Sequence, residues 1–234
     1  ELDDGDFLDI DWHRKGFSDL CVVVHGLEGD STRYYTTGMI RAAAESSMDG
    51  LAMNHRSCSG EMNRLPQSYH TGQTADIHAI LEHVLATTEY ERIFLVGFSM
   101  GANQILKYLG EEPDMVPDRV AAGACFSAPC DLVGSARELA RPVNTPYMRY
   151  FMKMLTEKIR IKHEMFPELI AIDGIEKIRT FREFDDRYTA PLNGFTDYMD
   201  YWTRNGSGQF LHRIQKPALI INAANDSFLS DSCY

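Results

Sequence analysis

Short apolar runs and helical apolar stripes alternate along the first half of the chain. Residues 6–13 alternate, with Phe7, Leu8, Ile10 and Trp12 set among acids, and read as an early strand near a sheet edge. Residues 20–24 are apolar throughout, as in a strand buried on both faces, and run into the loop His25-Gly26-Leu27-Glu28-Gly29. Residues 33–47 then read as a helix and 51–54 as a short strand. In residues 74–86 the apolar positions Ile77, Ile80, Leu81, Val84 and Leu85 recur at helical spacing. Residues 93–96 form the next buried strand, 102–109 a helix and 120–126 another strand. The alternation then stops. Residues 131–205 are rich in Met, Arg, Lys and aromatics and read as several helices, after which Pro217 and residues 218–222 restore the strand pattern.

Repeated strand–helix alternation with apolar strands predicts a parallel α/β sheet covered by helices on both faces. The helical stretch is too long for a simple crossover, so it is expected to lie over one end of the sheet. The resulting organisation is a core in residues 1–130, a helical cap insertion in 131–205, and a return to the core in 206–234.

The stretch with most chemical content is Gly97-Phe98-Ser99-Met100-Gly101, at the seam of a strand and a helix. Gly97 and Gly101, two before and two after Ser99, permit a very tight turn that only residues without a Cβ fit beside. Such a turn presents the serine hydroxyl at a helix N-terminus, where free N–H groups and the helix dipole favour developing negative charge. This is the pattern of a nucleophile elbow. In that architecture an earlier strand–loop supplies one oxyanion-hole N–H and the residue after the nucleophile the other. Leu27 and Met100 are the corresponding residues, with Gly26 and His25 supporting the loop. His25 reads as structural, because a triad base follows the acid in the chain order Ser, Asp, His. For the acid, Asp226 just past the last strand is the candidate by position; Asp231, Asp185 and Asp186 are its rivals.

Composition narrows the classes further. The 234 residues are 44% hydrophobic and 24% charged, with a net charge of −11, an acidic balance that disfavours a nucleic-acid-binding surface. No apolar run approaches the roughly 20 residues of a membrane helix. Five cysteines without C-x-x-C spacing read as reduced thiols in the cytoplasm. There is no H-E-x-x-H or ligand-spaced His/Asp cluster, no phosphate-loop lysine after Gly97 and no G-x-G-x-x-G, so neither a metal nor a nucleotide cofactor is expected. The basic stretch 153–162 reads as the polar face of a cap helix. Arg56, Arg64 and Arg182 are expected to pair with Glu183, Asp185 and Asp186 and brace the cap.

The ordered set HGLEG, NHRSCSGEMNR, YHTGQTAD, GFSMGAN, REFDD and PALIINAANDSF resembles the YheT-like family of α/β-hydrolases across nearly the whole chain. The resemblance implies an eight-stranded α/β-hydrolase core, a helical cap and a Ser-Asp-His triad with Ser99 as nucleophile and Asp226 as acid. It implies hydrolysis of carboxylic esters, lipid-like acyl esters among them. The family's histidine lies in a Gly-Gly-His segment beyond the acid, whereas the last histidine here is His212. The expectation is therefore of a piece of a longer protein, with the last strand, last helix and histidine outside it. Two other readings stay open: a catalytically incomplete hydrolase-like or binding module, and a thioesterase or acyltransferase.

Overall fold

The computed structural model describes residues 1–234. Six strands form one sheet in the order β1-β3-β2-β4-β5-β6, against the eight that the resemblance implies. In chain order the elements are β1 (Asp9–His13), β2 (Asp19–Val24), α1 (Tyr34–Glu45), β3 (Met48–Asn54), α2 (Thr74–Thr87), β4 (Arg92–Phe98), α3 (Met100–Glu111) and β5 (Val120–Phe126). There follow α4 (Leu132–Leu139), α5 (Thr145–Met165), α6 (Phe181–Phe184), a π-helical turn (Asp185–Thr189), α7 (Ala190–Leu192) and α8 (Tyr198–Asn205), and finally β6 (Ala218–Ile221). Every pairing is parallel except that of β1 with β3.

The apolar run of β2 divides by strand alternation between two cores. Leu20, Val22 and Val24 pack with Ile77, Leu81 and Val84 of α2 and with the apolar positions of α3. Cys21 and Val23 face the other way, against Ala43 of α1 and Val96 of β4. This two-sided burial is why the run carries no polar residue. Between β5 and β6 there is no strand, and the helical cap there has an apolar centre of its own, with Met148, Met152, Ile159, Phe184 and Tyr188. No helix is long and apolar enough to cross a membrane.

Two expectations about charge need correction. The stretch 153–162 is solvated at Lys153, Glu157 and Arg160 but not at its other two lysines. Lys162 is fully buried and its ammonium donates to the carbonyls of Asn63, at 2.7 Å, and Leu65. Lys158 lies 18% exposed and pairs with Glu28 at 2.9 Å. Long apolar stems make this possible, since a lysine buries its methylenes while its nitrogen finds acceptors. The arginines also do something other than brace the cap. Arg56 makes a two-pronged contact with Asp76, Nε to Oδ2 at 3.0 Å and Nη2 to Oδ1 at 2.7 Å, and its Nη1 reaches Asp4 at 2.6 Å and Asp6 at 3.3 Å. Arg64 pairs with Glu1, and Arg182 lies over the Tyr198 ring.

Arg56 thereby ties the N-terminal segment to the loop after β3 and to α2. Asp6, which the alternation put in the first strand, is fully buried in this network instead and also accepts from Asn63 Nδ2 at 2.6 Å. Removing one partner of a buried ion pair leaves the others uncompensated, at a cost of about 3–5 kcal/mol. Arg56→Met should therefore lower the unfolding free energy by about that much in urea titration at pH 7. A loss below about 1 kcal/mol would mean that the network is surface-like in its energetics.

Candidate active site

The strand β4 delivers Ser99 into a tight turn that runs straight into α3. Ser99 has φ 52° and ψ −116°, a backbone region that residues with a Cβ rarely enter. Its N–H donates to Phe126 O at 2.8 Å, at the end of β5, and its own carbonyl accepts from Asn103 N–H at 3.0 Å, opening α3. The flanking glycines are required by contact rather than by φ. A Cβ on Gly97 would lie 2.6 Å from Gly101 O, and one on Gly101 would lie 2.4 Å from Val24 O. Ser99 occupies the N-cap position of α3, yet its side chain caps no N–H, which leaves the hydroxyl free.

The loop after β2 touches this turn. A Cβ on Gly26 would lie 3.2 Å from Ser99 Cβ, a tight contact that glycine avoids. Gly29 N–H donates to Gly26 O at 3.0 Å and closes a four-residue turn around Leu27. The N–H of Met100 belongs to the first turn of α3, whose donors have no intrahelical acceptor.

Three histidines stand around these loops, and each is committed elsewhere. His25 Nδ1 donates to Gly26 O at 2.7 Å, so its Nε2 is the atom that accepts from His55 N–H at 3.2 Å. Burial brings its pKa down to about 4 and keeps the ring neutral. The ring of His55 is fully buried, donates from Nε2 to His25 O at 3.1 Å, and is held well below the ordinary histidine range by burial and by the neighbouring His25. Position 70 is similar: His70 Nδ1 accepts from Gly72 N–H at 3.1 Å, and burial, with Lys107 and Arg56, pushes its pKa to about 3.

Asp226 lies beyond β6 in a turn of its own. Its N–H donates to Ala223 O at 3.0 Å, and Oδ1 accepts from Phe228 N–H at 3.0 Å. Asp226 and Ser99 line one cavity, with Leu27, Tyr35, Phe126 and Phe151 among its walls and no histidine. The rival acids lie elsewhere. Asp185 is buried in the cap, where it accepts from Trp202 Nε1 at 2.8 Å and Thr189 Oγ1 at 2.6 Å, and burial raises its pKa to about 6. Asp186 is exposed and accepts from Tyr198 N–H at 3.3 Å, and Asp231 is exposed near the last residue.

A second cavity continues beneath the cap. It shares Leu27 and Phe181 with the first and is lined by Met100, His70, Ile159 and Tyr188. Glu28, Tyr69 and Lys158 also face it. The last three went unnoticed in sequence; Glu28 lies inside the HGLEG loop, but nothing local pointed to Lys158. No three His, Cys, Asp or Glu side chains come close enough to hold a metal ion.

Residues 20–232 match the α/β-hydrolase-fold family. The chain is 33% identical to Escherichia coli YheT, an esterase by name, over 98% of this chain and 68% of that protein. It is 29% identical to mouse phospholipase ABHD3 over 96% of this chain but only 57% of that one. Among solved structures it superposes on an esterase of Pyrococcus furiosus with a TM-score of 0.63, at 15% identity, covering 99% of this chain and 73% of that one. That likeness speaks for the fold alone.

The strain and the buried imidazoles each have a measurable consequence. Ser99→Gly relieves the positive φ and should raise stability by about 1 kcal/mol, whereas Ser99→Ala keeps the Cβ and should not. Equal urea midpoints for the two variants would contradict the strain. For His25, the unfolded chain takes up its proton near pH 6.5 and the folded one only near 4. Between those values the unfolded state binds more protons, so stability falls as pH falls, by on the order of 3 kcal/mol for this group. A His25→Asn variant should show a shallower loss of urea midpoint between pH 7 and 4.5; an unchanged slope would mean the ring is protonated in the fold.

Proposed function

The chain belongs to the YheT-like branch of the α/β-hydrolase family, and from that premise we propose that it is a serine hydrolase acting on carboxylic esters. The carrying observation is that one cavity holds both Ser99, free at its strained turn, and the carboxylate of Asp226. In this reading Ser99 Oγ attacks the acyl carbonyl while a histidine takes its proton. The N–H groups of Leu27 and Met100 hold the oxyanion, each contributing a few kcal/mol to the transition state. The alcohol leaves with the proton returned by the histidine, and water then cleaves the acyl-enzyme by the same steps. Asp226 orients the histidine through the carboxylate oxygen not used by Phe228 N–H.

Because the Ser99 cavity contains no histidine, and because the chain spans 68% and 57% of the two relatives' lengths, the reading assigns that base to a residue outside 1–234. The aromatic walls around Ser99 suit an apolar acyl chain, so the proposed substrates are lipid-like esters, in keeping with the phospholipase name of the mouse relative. The division into a core of residues 1–130 and 206–234 and a cap of 131–205 follows the same reading. All five cysteines are free thiols, which fits a proposed cytoplasmic location. No cofactor is required by this chemistry.

The test is a fluorophosphonate probe and a series of p-nitrophenyl esters on the full-length protein. A single adduct, lost in Ser99→Ala together with at least about a thousandfold of the hydrolysis rate, is the expected result. Thioester turnover well above oxyester turnover would shift the reading to a thioesterase. An adduct that survives Ser99→Ala would overturn Ser99 as the nucleophile, and no adduct with no hydrolysis would leave a hydrolase-like binding module.

A further inference from the structure

The turn after β2 holds a residue that its local sequence does not favour. Gly26 to Gly29 form a β-turn with Leu27 and Glu28 at its centre, and Glu28 has φ 54°. At that place a turn with positive φ takes glycine or asparagine, because a longer side chain is strained there. Glu28 is kept in it by bonds to both its backbone and its side chain. Its N–H donates to Tyr69 Oη at 2.9 Å, and its carbonyl accepts from Arg33 Nη2 at 3.1 Å. One carboxylate oxygen, Oε1, accepts from Tyr69 O–H at 2.6 Å and from Lys158 Nζ at 2.9 Å.

Lys158 comes from α5, in the cap, and every other partner of Glu28 comes from the core. The pair is desolvated, with the side chains 18% and 4% exposed. Lys158 also approaches Cys58 Sγ at 3.1 Å and lies over the Tyr69 ring. An ion pair of this kind is poor support for stability, since apolar residues of similar size would seal the same boundary at least as well. A glycine at 28 would adopt the φ without strain. The arrangement makes sense as a constraint on direction: Glu28 follows Leu27, and a one-residue rotation in this turn would swing the Leu27 N–H.

We infer that Lys158 is a positioning residue for the oxyanion turn. Acting through Glu28 and Tyr69, helix α5 sets the Leu27 N–H, so the turn is in register for catalysis when the cap is seated. The inference rests on the serine-hydrolase reading, in which Leu27 supplies an oxyanion donor. Outright loss of one such donor lowers kcat by about 10²–10³-fold, and a donor held loosely forfeits part of that.

The experiment uses the full-length protein, with active sites counted by fluorophosphonate titration so that misfolded molecules do not enter kcat. Lys158→Met keeps most of the stem and removes the charge. It should lower kcat per titrated site for a p-nitrophenyl ester by about 10–100-fold, with KM changed less than about threefold. Lys158→Arg should recover most of the loss. Glu28→Gly relieves the φ but strands the Lys158 ammonium, so its urea midpoint should fall while its kcat per titrated site drops as in Lys158→Met. The double variant should lose no more than the worse single one, as expected for two parts of one device. A kcat per titrated site within about twofold of the parent in Lys158→Met, or in Glu28→Gly, would overturn the inference while leaving the enzyme reading intact. A parent protein that neither takes the probe nor cleaves esters would overturn the enzyme reading, and this inference with it.

Discussion

Three close backbone contacts hold the site together. Gly101 lies against the carbonyls of Val24 and His25, Gly97 against Gly101 itself, and Gly26 against the Cβ of Ser99. Together they let the N-terminus of α3 sit directly on the ends of β2 and β4. The end of β5 joins them through the Ser99 N–H and the stacked rings of Phe98 and Phe126, 5.1 Å apart. α3 is then buried along nearly its whole length, and its polar residues serve as internal anchors. Asn103 bonds Thr71 O, Asn205 O and Ser207 N–H, and Gln104 bonds His70 O. Buried polar groups need partners, and here those partners are the loop after β3 and the end of the cap.

The parts of this scaffold that could be read in the sequence are those with a local signature. A strand segment buried on both faces is apolar throughout, as in residues 20–24 of β2 and 93–96 of β4. A helix covering it repeats its apolar residues every three or four positions, as Ile77, Ile80, Leu81 and Val84 do. The serine turn announces itself because glycine spacing, strand and helix all fall within a dozen residues. What escaped notice has partners far apart in the chain. Arg56 and Asp4 are 52 residues apart, and Lys158 and Glu28 are 130 apart. A lysine inside a charged helical stretch looks solvated until the surface opposite is known. Lys162, fully buried on two carbonyls, is the plainest case. The π-helical turn Asp185–Thr189 had no visible marker either; its Asp185 is turned inward to the indole of Trp202.

The cap is attached to the core by a few buried polar links beside its apolar contacts. It keeps an apolar centre of its own around Met148, Met152 and Phe184. The links at its lower face include Lys158 to Glu28, Lys162 to the 63–65 loop, and Tyr201 Oη, which accepts from Thr71 N–H at 3.0 Å. An apolar seam tolerates sliding, because its contacts are not directional. Hydrogen-bonded ammonium groups do not, because their donors must meet fixed carbonyl and carboxylate oxygens. The cap is therefore held in register by polar contacts, and two of these three end on the loops that flank the serine turn.

The proposed nucleophile and the proposed acid are constrained very differently, and this bears on how the proposed triad could be completed. Ser99 is fixed by two backbone hydrogen bonds, three glycine contacts and a strained φ. Asp226 is held by short-range bonds within residues 223–229, in a turn that follows the exposed strand β6. In the proposed triad a histidine accepts from the serine and donates to the carboxylate at once. His25, His55 and His70 cannot take that part without giving up the bonds they make to the loops after β2 and β3. The three histidines of the rigid half are thus already engaged. On the proposed reading, the aspartate side is the less constrained half.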